Sequence, residues 1–389
     1  MKTMKMRITN SQRGFSLLEL MIAATLGLIL IVAMTSLFRQ GMNATFTVTQ
    51  RAEVQQNMRA GIELMTKDIS MAGAGLPSGG LQLPVGTPTK VACNQAGTCY
   101  VPADTYPTGN YMYGILPGFG NGVQNGVAIP SAPAAVNDSI TSIYCDYNFP
   151  LTNFAFTFPS TTDAAVALVA TPNAALPENI LAPGGLNVGD LLFFLVSTPG
   201  TGVGAGGTSA AQTAAVVAEI TGIPSNAQIN FASGDALNFN QGTAVANSLA
   251  NMINNLGPAL GGGNTVTVCR LNAVTYFLQV PPAGGTVQTP RLMRQLNGLT
   301  AVPVADNIIN LQFSYDVISS TAGLMNANQS NPIAAGDSPA LIQKVNMWVM
   351  GQSLVSSGNR FQSMYLASSV STGNMSFCNS YSSQSKVCQ

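Results

Sequence analysis

One carboxylate, six thiols and a missing imidazole bound the chemistry open to this chain. Glu19 is the only charge in an apolar run from Phe15 to Phe38, which follows a basic leader carrying Lys2, Lys5, Arg7 and Arg13. That run spans about 24 residues, roughly 36 Å as a helix, enough to cross a hydrocarbon core. A charge at the bilayer centre costs about 2.5–3.5 kcal/mol on insertion scales, and less near the edge, where Glu19 lies. An intramembrane charge reads by default as a functional group, and its natural partner is a cation on another helix. The six cysteines, Cys93, Cys99, Cys145, Cys269, Cys378 and Cys388, all lie beyond the run. An even count in an exported segment points to disulfides and leaves many connectivities open. Closeness in sequence favours Cys93–Cys99 and Cys378–Cys388, which leaves Cys145 for Cys269.

The chain has no histidine. His-based triads, imidazole general bases and His-type zinc sites are therefore absent, and no CxxC spacing offers a thiolate metal site. No catalytic residue, metal or cofactor is expected, because the acidic pairs form no recognisable constellation, and an enzyme is not the expected class. Without the leader's four cations the chain carries 11 basic against 15 acidic residues. That balance tells against a nucleic-acid surface built on bulk charge. Between Val91 and Cys269 there is no lysine or arginine, whereas Asp104, Asp138, Asp146, Asp163, Glu178, Asp190, Glu219 and Asp235 are acidic. They read as scattered solvated carboxylates, with a calcium site or an acidic docking face as the functional alternative. Gly202-Val203-Gly204 with Gly207 is followed by no lysine, which leaves a phosphate loop unsupported.

The elements that must position these groups begin with one long helix. No proline precedes Pro77, and Val54, Met58, Ile62, Met65 and Ile69 form an apolar stripe at spacings of three to four. The spacing predicts a helix from about Phe15 to Met71, its inner half apolar all round and its outer half resting the stripe on a sheet. Gly41 and Gly61 weaken it by about 1 kcal/mol each relative to alanine. Ala72-Gly73-Ala74-Gly75-Leu76-Pro77 ends it. From Pro77 to about Val136 the pattern is loops and short strands. Strands are expected at Ser139–Tyr147, Asp163–Ala170, Asp190–Thr198 and Thr213–Thr221, then a short helix at Thr243–Leu256. Further strands are expected at Thr265–Arg270, Ala273–Val280, Arg291–Leu296, Ile308–Val317, Lys344–Gly351 and Phe361–Val370, as an antiparallel meander. The fold class is α+β, a long N-terminal helix on a large antiparallel β-rich domain. The division is leader 1–14, helix 15–75 (membrane-spanning at about 15–38) and exported domain 76–389, with a loop-rich insertion at about 80–260. Positive-inside logic puts the leader in the cytoplasm and the domain outside.

The octapeptide Arg13-Gly14-Phe15-Ser16-Leu17-Leu18-Glu19-Leu20, with its basic leader, resembles the class III signal of type IV pilins and type II secretion pseudopilins. The resemblance implies cleavage after Gly14 by prepilin peptidase, N-methylation of Phe15, and a need for Glu19 in subunit assembly. Lys67-Asp68-Ile69-Ser70-Met71-Ala72-Gly73 resembles the helix end of the PilW family of minor pilins. So do Tyr276-Phe277-Leu278, Leu292-Met293-Arg294-Gln295, Val304–Tyr315 and Lys344–Val349. This resemblance covers roughly the first 75 and last 120 residues. It implies a low-copy minor pilin that helps initiate a type IV pilus, at or near its tip. Other minor and major pilins would be its partners, in the inner membrane before assembly and on the pilus at the cell surface after it. A type II secretion pseudopilin and a pilus-displayed adhesin or receptor module are the alternatives.

Overall fold

A computed structural model describes residues 14, 16–77, 80–92, 111–120, 123–124, 137–146, 149, 151, 154–158, 161–162, 165–172, 180, 184–198, 212–256, 265–279, 290–319, 324–332, 336–353 and 361–375. The architecture is α+β. One helix runs unbroken over Leu17–Ser70, 54 residues or about 80 Å. Its predicted stripe is the buried one: Val54, Met58, Ile62, Met65 and Ile69 are each no more than 7% exposed. The chain leaves through Gly73 and Gly75, both at positive φ, which glycine alone adopts without strain. Beyond the helix, Gly73 N donates to Ile143 O and Cys145 N to Ala74 O, tying the exit to the strand Ser139–Cys145.

Two antiparallel sheets receive the stripe. The C-terminal one has the order Met325–Gln329, Ile308–Ile318, Ile342–Gln352, Ser363–Ser371. Its inward row, including Leu311, Phe313, Tyr315, Val345, Met347 and Val349, packs on Met58, Ile62 and Met65 in one core. The larger sheet is built on Thr265–Gln279, 15 residues long. Leu191–Thr198, Ser139–Cys145 and Arg291–Leu296 all pair with that strand antiparallel. Strands from either side of residue 260 therefore share one sheet. Glycine permits the closest approaches. A Cβ on Gly61 would lie 2.8 Å from Leu292 Cδ2, and one on Gly351 would lie 2.6 Å from Val54 Cγ1. Gly61, read from sequence as a weak point, is thus a packing position, whereas Gly41 meets nothing within 4 Å.

Three expectations need correction. The predicted break between Thr265–Arg270 and Ala273–Val280 is absent, because Leu271 and Asn272 find partners in Cys145 and Tyr144 and the strand runs through. The short helix covers only Leu249–Leu256. Asn247 at positive φ turns the chain first, and Ser248 Oγ accepts from Asn251 N at 3.1 Å. The C-terminal strands do not form one meander. Asn307, at φ +64°, turns the chain from Val302–Asp306 in one sheet to Ile308–Ile318 in the other. Strands at Phe154–Thr157, Gly222–Ser225, Gln228–Ala232 and Met325–Gln329, of four or five residues each, are too short for a pattern to stand out in the sequence.

Cys145 and Cys269, 124 positions apart in sequence, form a disulfide with Cα atoms 5.8 Å apart. The residue after each cysteine adds an ion pair, Asp146 to Arg270. Arg270 also donates to Gly184 O and Gly185 O and lies over the Phe149 ring, 5.0 Å from its centroid. The other four cysteines lie outside the described residues. Replacing Cys145 and Cys269 together by serine should lower the unfolding free energy by about 2–4 kcal/mol, measured by urea denaturation of the detergent-solubilised chain. An unchanged midpoint would show that the bond constrains nothing.

Candidate functional site

The first half of the helix touches no other part of the described chain. Every large apolar side chain from Leu17 to Phe38 is at least 52% exposed, and exposure continues through Met42, Phe46 and Val48. Among the described residues this is the one helix long and apolar enough to cross a membrane. Three of its threonines are satisfied within the helix: Thr25 Oγ1 donates to Ile22 O, Thr35 to Ile31 O and Thr45 to Gly41 O, at 2.7–3.0 Å. Such back-bonding leaves none of these three hydroxyl hydrogens unpaired against lipid or a neighbouring helix.

Glu19 sits in the first turn of this half, exposed. Ser16 is the N-cap, its Oγ accepting from Glu19 N at 3.3 Å. Ser16-x-x-Glu19 is the spacing of a capping box, a signal the sequence carries that was not read from it. A carboxylate here also faces the positive end of the helix dipole. Gly14 is exposed just ahead of the cap, and Phe15 lies outside the described residues.

The outer half ends in a buried charge. Asp68 is 3% exposed and accepts from three strands' side chains. Tyr144 Oη donates to its Oδ1 at 2.9 Å, Tyr276 Oη to Oδ2 at 2.5 Å, and Arg294 Nε to Oδ2 at 2.8 Å. Tyr144 comes from Ser139–Cys145, Tyr276 from Thr265–Gln279 and Arg294 from Arg291–Leu296, so one carboxylate binds the helix to three adjacent strands. Burial raises both phenol pKa values, and the Asp68 charge raises them further. Burial alone would lower Arg294, but its hydrogen bond to Asp68 and that residue's charge outweigh burial and hold the guanidinium protonated. Breaking such a pair from one side strands a charge in the core.

The acidic residues of the middle segment are not a solvated face where the structure describes them. Asp138, Asp146, Asp190, Glu219 and Asp235 are all buried. Their oxygens accept loop and strand amides: Asp138 from Gly120 and Phe313, Asp190 from Asn187, Glu219 from Leu237, and Asp235 from Phe239 and Asn240. The missing cations reflect this inward use. Among the described residues no cluster of acidic or cysteine side chains could hold a metal ion. Asp104, Asp163, Glu178 and the 202–207 glycines lie outside the described residues.

Residues 9–35 match the family model of the prokaryotic N-terminal methylation motif. No curated protein and no solved structure matches the chain. The motif supports a type IV pilin-like or pseudopilin precursor, with pilin-family partners and processing by prepilin peptidase in general. The apolar helix that follows fits a membrane-anchored pilin.

Asp68→Ala should lower stability by about 3–5 kcal/mol, because it leaves the half-buried Arg294 and the buried Tyr144 and Tyr276 hydroxyls without their acceptor. Asp68→Leu combined with Arg294→Met should cost less than either single change, which urea denaturation of the four proteins checks. A second test concerns acid. Burial, with the Asp235 carboxyl alongside, pushes Glu219 from 4.5 up to about 7 against the pull of Leu237 N–H. The folded state therefore holds a proton that the unfolded state has lost, between those two values. Stability from this group is full below the lower value and is gone once pH has risen through the upper one. From about pH 5 to pH 8 the native chain should lose roughly 1–3 kcal/mol more than Glu219→Gln, which does not titrate.

Proposed function

We propose that this chain is a minor pilin of the PilW kind, a low-copy subunit that acts early in type IV pilus assembly. The observation that carries the reading is a single helix in two roles. Its outer half is locked to the sheets through Asp68 and the Val54–Ile69 stripe, while its inner half offers apolar surface headed by Glu19. In this reading prepilin peptidase cuts between Gly14 and Phe15 on the cytoplasmic side, and Phe15 is N-methylated. The chain crosses the inner membrane once and later moves to the pilus. Glu19 meets the positive N-terminus of a neighbouring subunit, an attraction strengthened by low dielectric and offset in part by desolvation.

The domain after Leu76 exceeds 300 residues. Repeated at every position of a filament it would crowd its neighbours, so a tip or sparse position suits it better than the shaft. The N-terminal motif is shared with pseudopilins, so the test must read the filament itself. Mass spectrometry of the membrane-bound chain should give Phe15, methylated, as the first residue. Glu19→Leu should still insert and be cleaved, but be absent from sheared filaments in which the native chain is a trace component. A mature terminus elsewhere, normal incorporation of Glu19→Leu, or amounts comparable to the major subunit would each refute part of this reading.

A further inference from the structure

The sheet around Thr265–Gln279 has two faces, and the long helix covers only one. Val274, Tyr276, Leu278 and Leu292 enter the helix core. The alternate residues Thr275, Phe277, Gln279, Met293 and Gln295 line a cavity of about 490 Å³ on the other face. Three stretches distant in sequence complete its walls: Lys90–Ala92, the turn at Ala236–Phe239, and Asn297–Ala301. That volume falls in the range of small-ligand sites.

The walls are held before any ligand arrives. Lys90 N donates to Leu237 O at 2.8 Å, and Asn238 Nδ2 to Pro88 O at 3.0 Å. The buried carboxylates of Glu219 and Asp235 fix the same turn through Leu237 N and Phe239 N. Two polar groups on the walls are not used by the fold. Asn297 is 3% exposed, and its Oδ1 accepts from Ala273 N at 2.8 Å, which sets the orientation of the amide. Its Nδ2 has no acceptor, an omission that costs about 1–3 kcal/mol in a buried donor. Lys90, exposed at the rim, belongs to none of the ion pairs among the described residues. It is also the last cation in the sequence before Arg270. Gln295 gives its Nε2 to Leu299 O at 2.8 Å, which leaves Oε1 as an acceptor on the wall.

We propose that this cavity binds the carboxylate end of a short apolar peptide. Lys90 meets the carboxylate, Asn297 Nδ2 donates to a peptide carbonyl, and Gln295 Oε1 accepts a peptide N–H. The apolar side chain lies on Leu191, Phe277 and Met293. A bare inorganic anion would gain nothing from that floor, and a polyphosphate would need more than one cation. A cationic ligand would meet Lys90 as a like charge. This proposal is independent of the pilin reading, because none of these residues belongs to the long helix.

The full chain in lipid nanodiscs is titrated with N-acetyl-leucyl-leucine and with its C-terminal amide, by isothermal titration calorimetry against empty nanodiscs. The acid should bind saturably at one site, and the amide about tenfold more weakly, about 1.4 kcal/mol. Lys90→Met should bring the acid down to the affinity of the amide. Ala301→Trp, at a half-buried wall position, should abolish binding by filling the space. If that variant misfolds by circular dichroism, the comparison of acid and amide on the native chain still decides. No heat from the acid up to about 10 mM, equal binding of acid and amide, or native affinity in a folded Ala301→Trp chain would overturn the proposal.

Discussion

A carboxylate at the far end of a long helix can be buried only where something pays for its desolvation, and here Arg294 and two tyrosines do so for Asp68. The geometry of the rest follows from that group. Apolar stripes slide and roll with little penalty, since Met, Leu and Ile contacts are interchangeable within limits. A buried ion pair with two phenol donors has one good arrangement. It fixes the rotation of the helix about its own axis and its position along the strands. Gly61 and Gly351, where helix and sheet leave no room for a Cβ, then have no freedom to be elsewhere.

Fixing the outer half determines what the inner half can do. The helix is unbroken from Leu17 to Ser70, so a load on the exposed end is carried to Asp68 through an uninterrupted ladder of backbone hydrogen bonds. Among the described residues the inner half has no tertiary contact of its own, and its apolar surface calls for cover by lipid or by other helices. Glu19 stands where either environment meets the helix start. Its local role, in the dipole and the Ser16 cap, is compatible with a second role toward a neighbour's cation. The disulfide and the Asp146–Arg270 pair, one and two residues beyond Tyr144, cross-link the strand that carries Tyr144 to the strand that carries Tyr276. They thereby hold two of the Asp68 donors in register.

What the sequence showed depended on range. The helix limits were legible to within two residues because proline is excluded and a 3.6-residue stripe persists for four turns. Arg291–Leu296 was legible because its apolar pattern is bounded by turn residues on both sides. The Asp68 cluster was not, because its partners lie 76, 208 and 226 residues away, and no local pattern records a distant hydrogen bond. Segments around Asp68, Tyr276 and Arg294 each stand out as motif fragments, but nothing in their local pattern says that they meet. The buried acids misled for a related reason. Asp235 and Glu219 look like solvated residues until the amides of the turn at 237–240 are seen to need acceptors. Charge type is written in the sequence, but burial is not.

The central claim is that residues 17–46 are a surface for other subunits while the buried stripe Val54, Met58, Ile62, Met65 and Ile69 is not. A photoreactive phenylalanine analogue placed at Ile29 tests this against one placed at Met58, in cells that assemble filaments. Ile29 is 64% exposed and Met58 is 1% exposed. The account predicts a cross-link from position 29 to another subunit carrying the same N-terminal motif, and at position 58 only products internal to the chain. Subunit cross-links from position 58, or none but lipid adducts from position 29 in assembled filaments, would contradict it.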